Sequence, residues 1–72
     1  MNEEEMFKNF GEKVRKQRVR ENITLEELAE KTKIRKQYLQ KIENGKAMGI
    51  RFSHIFIIAH ALNTEEYKLC EM

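Results

Sequence analysis

TLEELAEKTKIRKQYLQKIENG, residues Thr24 to Gly45, decides how the chain reads. Leu25, Leu28, Ala29 and Thr32 recur at i, i+3, i+4 and i+7, which is one face of a helix from about Leu25 to Lys31. Thr24 followed by Glu27 is a capping box, and Ile23 with Leu28 occupies the positions of a hydrophobic staple. A second helix is predicted from about Arg35 to Asn44. Ile34, Leu39 and Ile42 supply its apolar side, and Gly45 stands where a left-handed residue commonly ends a helix. At about 100° per residue, Lys36, Gln37, Gln40 and Lys41 form a contiguous arc on the opposite side. Each lysine taken alone is an ordinary solvated residue. Together they make an arc of long hydrogen-bond donors with no carboxylate, on the second of two helices joined by a short turn. That is the anatomy of a helix that reads base edges in the major groove.

Charge is distributed to match. The net charge of +2 says little by itself. Residues 8–51 hold thirteen Lys and Arg against six Glu, residues 1–7 hold three Glu and no cation, and residues 52–72 hold one Lys against three Glu. From Lys31 to Lys41 there are five basic residues and no acid, a patch suited to a polyanion.

Before this stretch, Asn2 with Glu5 predicts the cap of a first helix reaching about Glu21, with Phe7, Phe10, Val14 and Arg18 on one face. Gly11 lowers helix preference by roughly 1 kcal/mol relative to Ala and predicts a weak segment before Phe10. After it come a loop, KAMGIRF, and a fourth helix from Ser53, read as its N-cap, to about Leu62. Phe52, Ile55, Phe56, Ala59 and Leu62 are its expected core stripe. Thr64 is positioned to cap a short fifth helix over about 65–70. The predicted fold is all-α: one domain over 1–72, with five helices around Phe10, Val14, Leu28, Ala29, Leu39, Ile42, Ile55, Ala59 and Leu62.

Three segments carry a family resemblance: GEKVRKQR at Gly11 to Arg18, LEELAEKT at Leu25 to Thr32, and YLQKIENGK at Tyr38 to Lys46. In this spacing the chain resembles the lambda-repressor/Cro type of helix-turn-helix domain, the XRE-like family, over about residues 10–62. The resemblance implies a DNA-binding transcriptional regulator, of the kind of a phage repressor or a restriction-modification controller, with Lys36 and Gln37 in the turn of the reading helix that reaches bases. It also implies a partly buried ion pair between Arg18 and Glu43. Two positions depart from the family pattern. Lys33 replaces the usual turn Gly, and Leu25 replaces a frequent Gln, so the phosphate contact of that Gln is not expected here.

Bases are therefore expected to meet Lys36, Gln37, Gln40 and Lys41. Phosphates are expected to meet Lys31, Lys33, Arg35, Tyr38, Lys46 and Arg51. A single short helix makes few base contacts, so a homodimer on a palindromic double-stranded DNA site is expected, joined around Ile57, Ala61, Tyr67 and Leu69. An alternative reading uses the same fold as an antitoxin-like or adaptor module that docks a protein partner through Ile57, Ala61 and Met48.

Other chemistry is not expected. His54 and His60 are six residues apart and do not share a helix face as i, i+4 metal ligands do. The single cysteine, Cys70, has no internal disulfide partner. No catalytic residue, metal, cofactor or small-molecule ligand is predicted. The acidic N-terminus lacks the basic start and apolar run of a signal peptide, and no stretch is long enough to span a membrane, so the expected compartment is the cytoplasm.

Overall fold

Asn2 opens the first helix by accepting the Glu5 amide on its side chain at 2.9 Å, and the acidic Glu3, Glu4 and Glu5 complement the positive end of the helix dipole. The computed structural model describes residues 2–70, without the side chain of Tyr67. It contains α1 (Glu3–Arg20), α2 (Leu25–Thr32), α3 (Lys36–Glu43), α4 (Phe52–Ala61) and α5 (Glu66–Cys70), and no strand among the described residues.

The capping box at Thr24 is formed in both directions, with Glu27 N donating to Thr24 Oγ1 at 3.1 Å and Thr24 N donating to Glu27 Oε1 at 2.9 Å. At the other end of α2, Lys33 is left-handed, with φ 62°. Thr32 braces this turn: its hydroxyl donates to Leu28 O at 2.8 Å and accepts from Ile34 N at 3.2 Å. The turn thereby turns Ile34 inward and hands the chain to α3.

Two glycines let α1 and α3 approach closely. Gly11 is buried in the middle of α1, where a Cβ would lie 2.1 Å from Ile42 O. The helix continues unbroken through it. The position needs a missing side chain, and packing against α3 offsets the low propensity. Gly45 ends α3 at φ 73°, and a Cβ there would meet Lys8 Cα at 2.8 Å.

The core holds Phe10, Val14, Leu28, Leu39, Ile42, Ala59 and Leu62 as expected, joined by Ile34, Ala47, Ile58 and Leu69, while Ala29 and Ile55 are partly buried against it. α4 is rotated from its expected setting. Its inward side is Ile55, Ile58, Ala59 and Leu62, whereas Phe52 is 72% exposed and Phe56 51% exposed. The helix starts two residues earlier than expected, with Arg51 rather than Ser53 as its N-cap and no side-chain cap bond, so Ser53 lies within the first turn. Leu69, expected between subunits, is buried in the core of its own chain, because α5 folds back onto α1 and α4. Cys70 is exposed, with partial burial and the nearby Glu66 pushing its thiol pKa up.

Candidate nucleic-acid interface

α3 buries Leu39, Ile42 and Glu43 and turns Lys36, Gln37, Gln40 and Lys41 outward, all four exposed. With side chains an α-helix is about 10–12 Å across, the width of the major groove of B-DNA. α3 is held at this angle from behind by Arg18. Its Nε donates to Glu43 Oε2 at 2.7 Å, its Nη2 to Glu43 Oε1 at 3.1 Å, and its Nη1 to Ile23 O at 2.8 Å. One guanidinium thus ties α1, the α1–α2 loop and the end of α3 together. Arg15 adds a longer contact, Nε to Glu43 Oε1 at 3.7 Å.

The exposed face of α3 has two unlike edges. On the α4 side, Lys33, Ile34, Arg35, Gln37, Tyr38, Lys41 and His54 line an open groove of about 550 Å³. This brings together five of the residues singled out in the sequence, and three of them are cations. His54 was not among them. Its ring meets Tyr38 edge-on at 5.8 Å, and its Nδ1 is buried without a hydrogen-bond partner among the described residues. Nothing in the local sequence relates residue 54 to residue 38; only the packing of α4 beside α3 does.

On the α2 side, Lys36 Nζ donates to Glu26 Oε2 at 2.7 Å. Lys36 therefore lies outside the groove and is engaged across the turn. The hydrogen bond from Lys36, aided by the backbone amide of Glu26, lowers the Glu26 pKa below its ordinary value. Gln40 is exposed between the two edges. Lys31 faces away from the groove, lining one depression with Glu27, Glu30 and Lys33 and another with Phe56, Ile57, His60 and Ala61. Lys46 and Arg51 are exposed at the two ends of the α3–α4 loop. Of the residues expected between subunits, Ile57 is 39% exposed and Ala61 partly buried, while the Tyr67 side chain lies outside the described residues.

Among the described residues no group of three or more His, Cys, Asp or Glu is placed to hold a metal ion, and no helix is long and apolar enough to cross a membrane.

A short helix, a left-handed turn and a second helix with an exposed donor face define a helix-turn-helix protein. The chain belongs to the helix-turn-helix family HTH_3, whose model matches residues 14–69, and it is a DNA-binding transcriptional regulator of the XRE-like, lambda-repressor type. It is similar in structure to the clp gene regulator ClgR from Corynebacterium glutamicum, with a TM-score of 0.84 and 25% identity, over 89% of this chain and 67% of that one. It is also similar to the restriction-modification controller protein C.AhdI from Aeromonas hydrophila, with a TM-score of 0.82 and 25% identity, over 88% of this chain and 94% of that one. No curated protein matches the sequence.

Proposed function

We propose that the chain recognises a palindromic operator as a homodimer, with α3 in the major groove of each half-site. The observation that carries this reading is the outward arc of Lys36, Gln37, Gln40 and Lys41 on a helix whose back is fixed by Arg18 and Glu43. Gln pairs with adenine through its amide, and Lys donates to guanine O6 and N7. Lys33, Arg35 and Tyr38 flank the arc along the groove and take phosphates, and Lys31, Lys46 and Arg51 extend the contact along the backbone. The similarity to C.AhdI over 94% of that chain supports a small controller-type or phage-type regulator working in the cytoplasm beside its DNA.

The dimer is assigned to the outer side of α4, at Ile57 and Ala61, with Phe56 added because it is 51% exposed. Exposed large apolar residues grouped on one helix favour an interface. The same face is the one observation that favours the second reading, an antitoxin-like or adaptor module, in which Phe56, Ile57 and Met48 meet a different protein.

The test is selection of duplexes from a random pool, followed by binding across a salt series and sedimentation with and without the selected duplex. Recovery of a twofold-symmetric sequence, a steep fall in affinity with salt and a dimer on DNA are expected. Salt-insensitive binding, with no sequence recovered, would favour the protein-docking module.

A further inference from the structure

Glu26 is the second residue of α2 and Lys36 the first of α3, ten residues apart and brought together by the turn, with Nζ and Oε2 2.7 Å from each other. Both side chains are about half exposed or more, at 49% and 66% for Lys36 and Glu26. An exposed pair of this kind contributes little to folding, so stability does not account for it. Glu26 is also the only carboxylate hydrogen-bonded to the reading arc among the described residues. A negative charge beside DNA phosphates is repulsive unless something in the groove accepts it.

A G·C pair provides such a partner. In the major groove guanine offers O6 and N7 as acceptors and cytosine offers the N4 amino group as a donor. O6 and N4 are themselves joined by a base-pair hydrogen bond of roughly 2.9 Å. An ammonium and a carboxylate held 2.7 Å apart present the complementary order: a donor to O6 and an acceptor to N4. We propose that Glu26 is a specificity-determining residue, and that the Glu26–Lys36 pair reads one G·C base pair in each half-site as a unit. This rests on the major-groove reading proposed above.

On other sequences the pair acts against binding. With adenine in guanine's place an amino group faces the ammonium and a thymine carbonyl faces the carboxylate, so both charges lose their partners. With thymine there the order at O4 and N6 is kept, but guanine N7, the second acceptor for the ammonium, is lost. On arbitrary DNA, Lys36 carries the Glu26 carboxylate with it toward the phosphates, and the repulsion offsets the gain from the ammonium. Specificity then comes from a repulsive element as well as an attractive one. Glu26 is built to remain charged for this role, since Lys36 and its own backbone amide both favour the ionised form.

The experiment compares the wild type with Glu26→Gln, Lys36→Met and the double variant. Each is bound to the duplex selected by the wild type, to that duplex with each base pair changed in turn, and to a scrambled duplex of the same composition, with a thermal melt of each protein as a control. The wild type is expected to select a fixed G·C pair and to lose affinity about tenfold when it becomes A·T, within the range for a well-formed base contact. Glu26→Gln should lose that discrimination and bind the scrambled duplex several-fold more tightly, since a charge facing the phosphates is gone. Lys36→Met should lose the same discrimination, the double variant should lose no more, and the melts should stay within a few degrees of one another. Retention of the G·C preference by Glu26→Gln, or an equal shift on selected and scrambled duplexes, would overturn the proposal while leaving the groove reading intact. A wild type that selects no sequence at all would overturn both, and the wild-type arm alone reveals that case.

Discussion

Arg18 and Glu43 form a two-pronged pair, Nε to Oε2 at 2.7 Å and Nη2 to Oε1 at 3.1 Å, with the Glu43 side chain only 3% exposed and that of Arg18 16% exposed. Attraction between such charges is largely offset by the cost of removing them from water. Its use is orientation: Glu43 is the last residue of α3, and Arg18 fixes it against α1 and the Ile23 carbonyl.

The burial is unequal, and the expected mutational effects are unequal with it. Arg18→Ala leaves a buried carboxylate with only the longer Arg15 contact at 3.7 Å. Stranding a buried charge costs about 3–5 kcal/mol. Glu43→Ala leaves an arginine that is freer to swing into water, so its cost is smaller. The double variant should be more stable than Arg18→Ala alone. Urea unfolding of the three variants measures this, and simple additivity would mean that the two side chains do not interact.

Gly11→Ala tests the α1–α3 contact. The added methyl would sit 2.1 Å from Ile42 O and 2.9 Å from Glu43 O, against backbone that cannot move aside without shifting α3. Overpacking of this kind costs about 1–3 kcal/mol, and with backbone as the obstacle the upper end is expected. In an exposed helix position the same change would stabilise by roughly 1 kcal/mol. The sign of the change in urea midpoint therefore decides whether the close approach exists.

Lys33→Gly addresses the turn. Lys33 adopts φ 62°, a region that costs a side-chain-bearing residue roughly 1–2 kcal/mol. Glycine removes that strain but loses more entropy on folding. A net stabilisation of up to about 1 kcal/mol is expected, together with weaker binding to any duplex, since a cation at the edge of the groove is lost. A melting temperature that falls would show that the lysine side chain contributes to the turn in some other way.

Acid should unfasten the start of α2. The Glu27 pKa is lowered, first by the Thr24 backbone amide and then by the Thr24 hydroxyl. A carboxyl whose pKa is lower folded than unfolded contributes stability that is present above its unfolded pKa and lost as pH falls through the folded value. Stability should therefore decline as pH drops through and below the ordinary carboxylate range, and Glu27→Gln should flatten that decline. Thr24→Ala should cost about 1 kcal/mol at neutral pH. Melts of Glu27→Gln that track the wild type at every pH would remove the capping box as a source of acid sensitivity.

The helix-turn-helix was legible because its signals are local. Thr24 with Glu27, the apolar spacing of Leu25 to Thr32, and the sharp division of α3 into two sides all lie within a few residues of one another. α4 was read in the wrong rotation for the opposite reason. FSHIFIIAHA carries apolar residues on every side, so spacing places Ile55, Ala59 and Leu62 inward but does not choose between Ile58 and the Phe52–Phe56 edge to complete the stripe. Tertiary contacts with α2 and α5 make that choice. Gly11 shows a related limit: the sequence reveals a poor helix former, and only the crossing of α1 and α3 reveals why it is needed. Glu26 with Lys36, and Tyr38 with His54, join different elements, and no periodicity within one helix connects them.

Gln37 and Lys46 separate specificity from affinity. Gln37 is exposed on the second residue of α3, within the reading arc and on the rim of the groove. Lys46 is exposed just past the end of the helix, outside the arc, and its amide donates to Lys41 O at 2.9 Å. Removing a base contact should cost about 1–3 kcal/mol on the selected duplex and little on a scrambled one, which is the expectation for Gln37→Ala. Removing a phosphate contact should weaken both duplexes alike and make the salt dependence shallower by about one unit of slope, which is the expectation for Lys46→Ala. Binding of each variant to both duplexes across a salt series distinguishes them. Equal weakening of the two duplexes by Gln37→Ala would mean that a different face of α3 meets the bases. If neither variant altered binding, the exposed apolar side of α4 would become the working surface, and the protein would act by docking a partner.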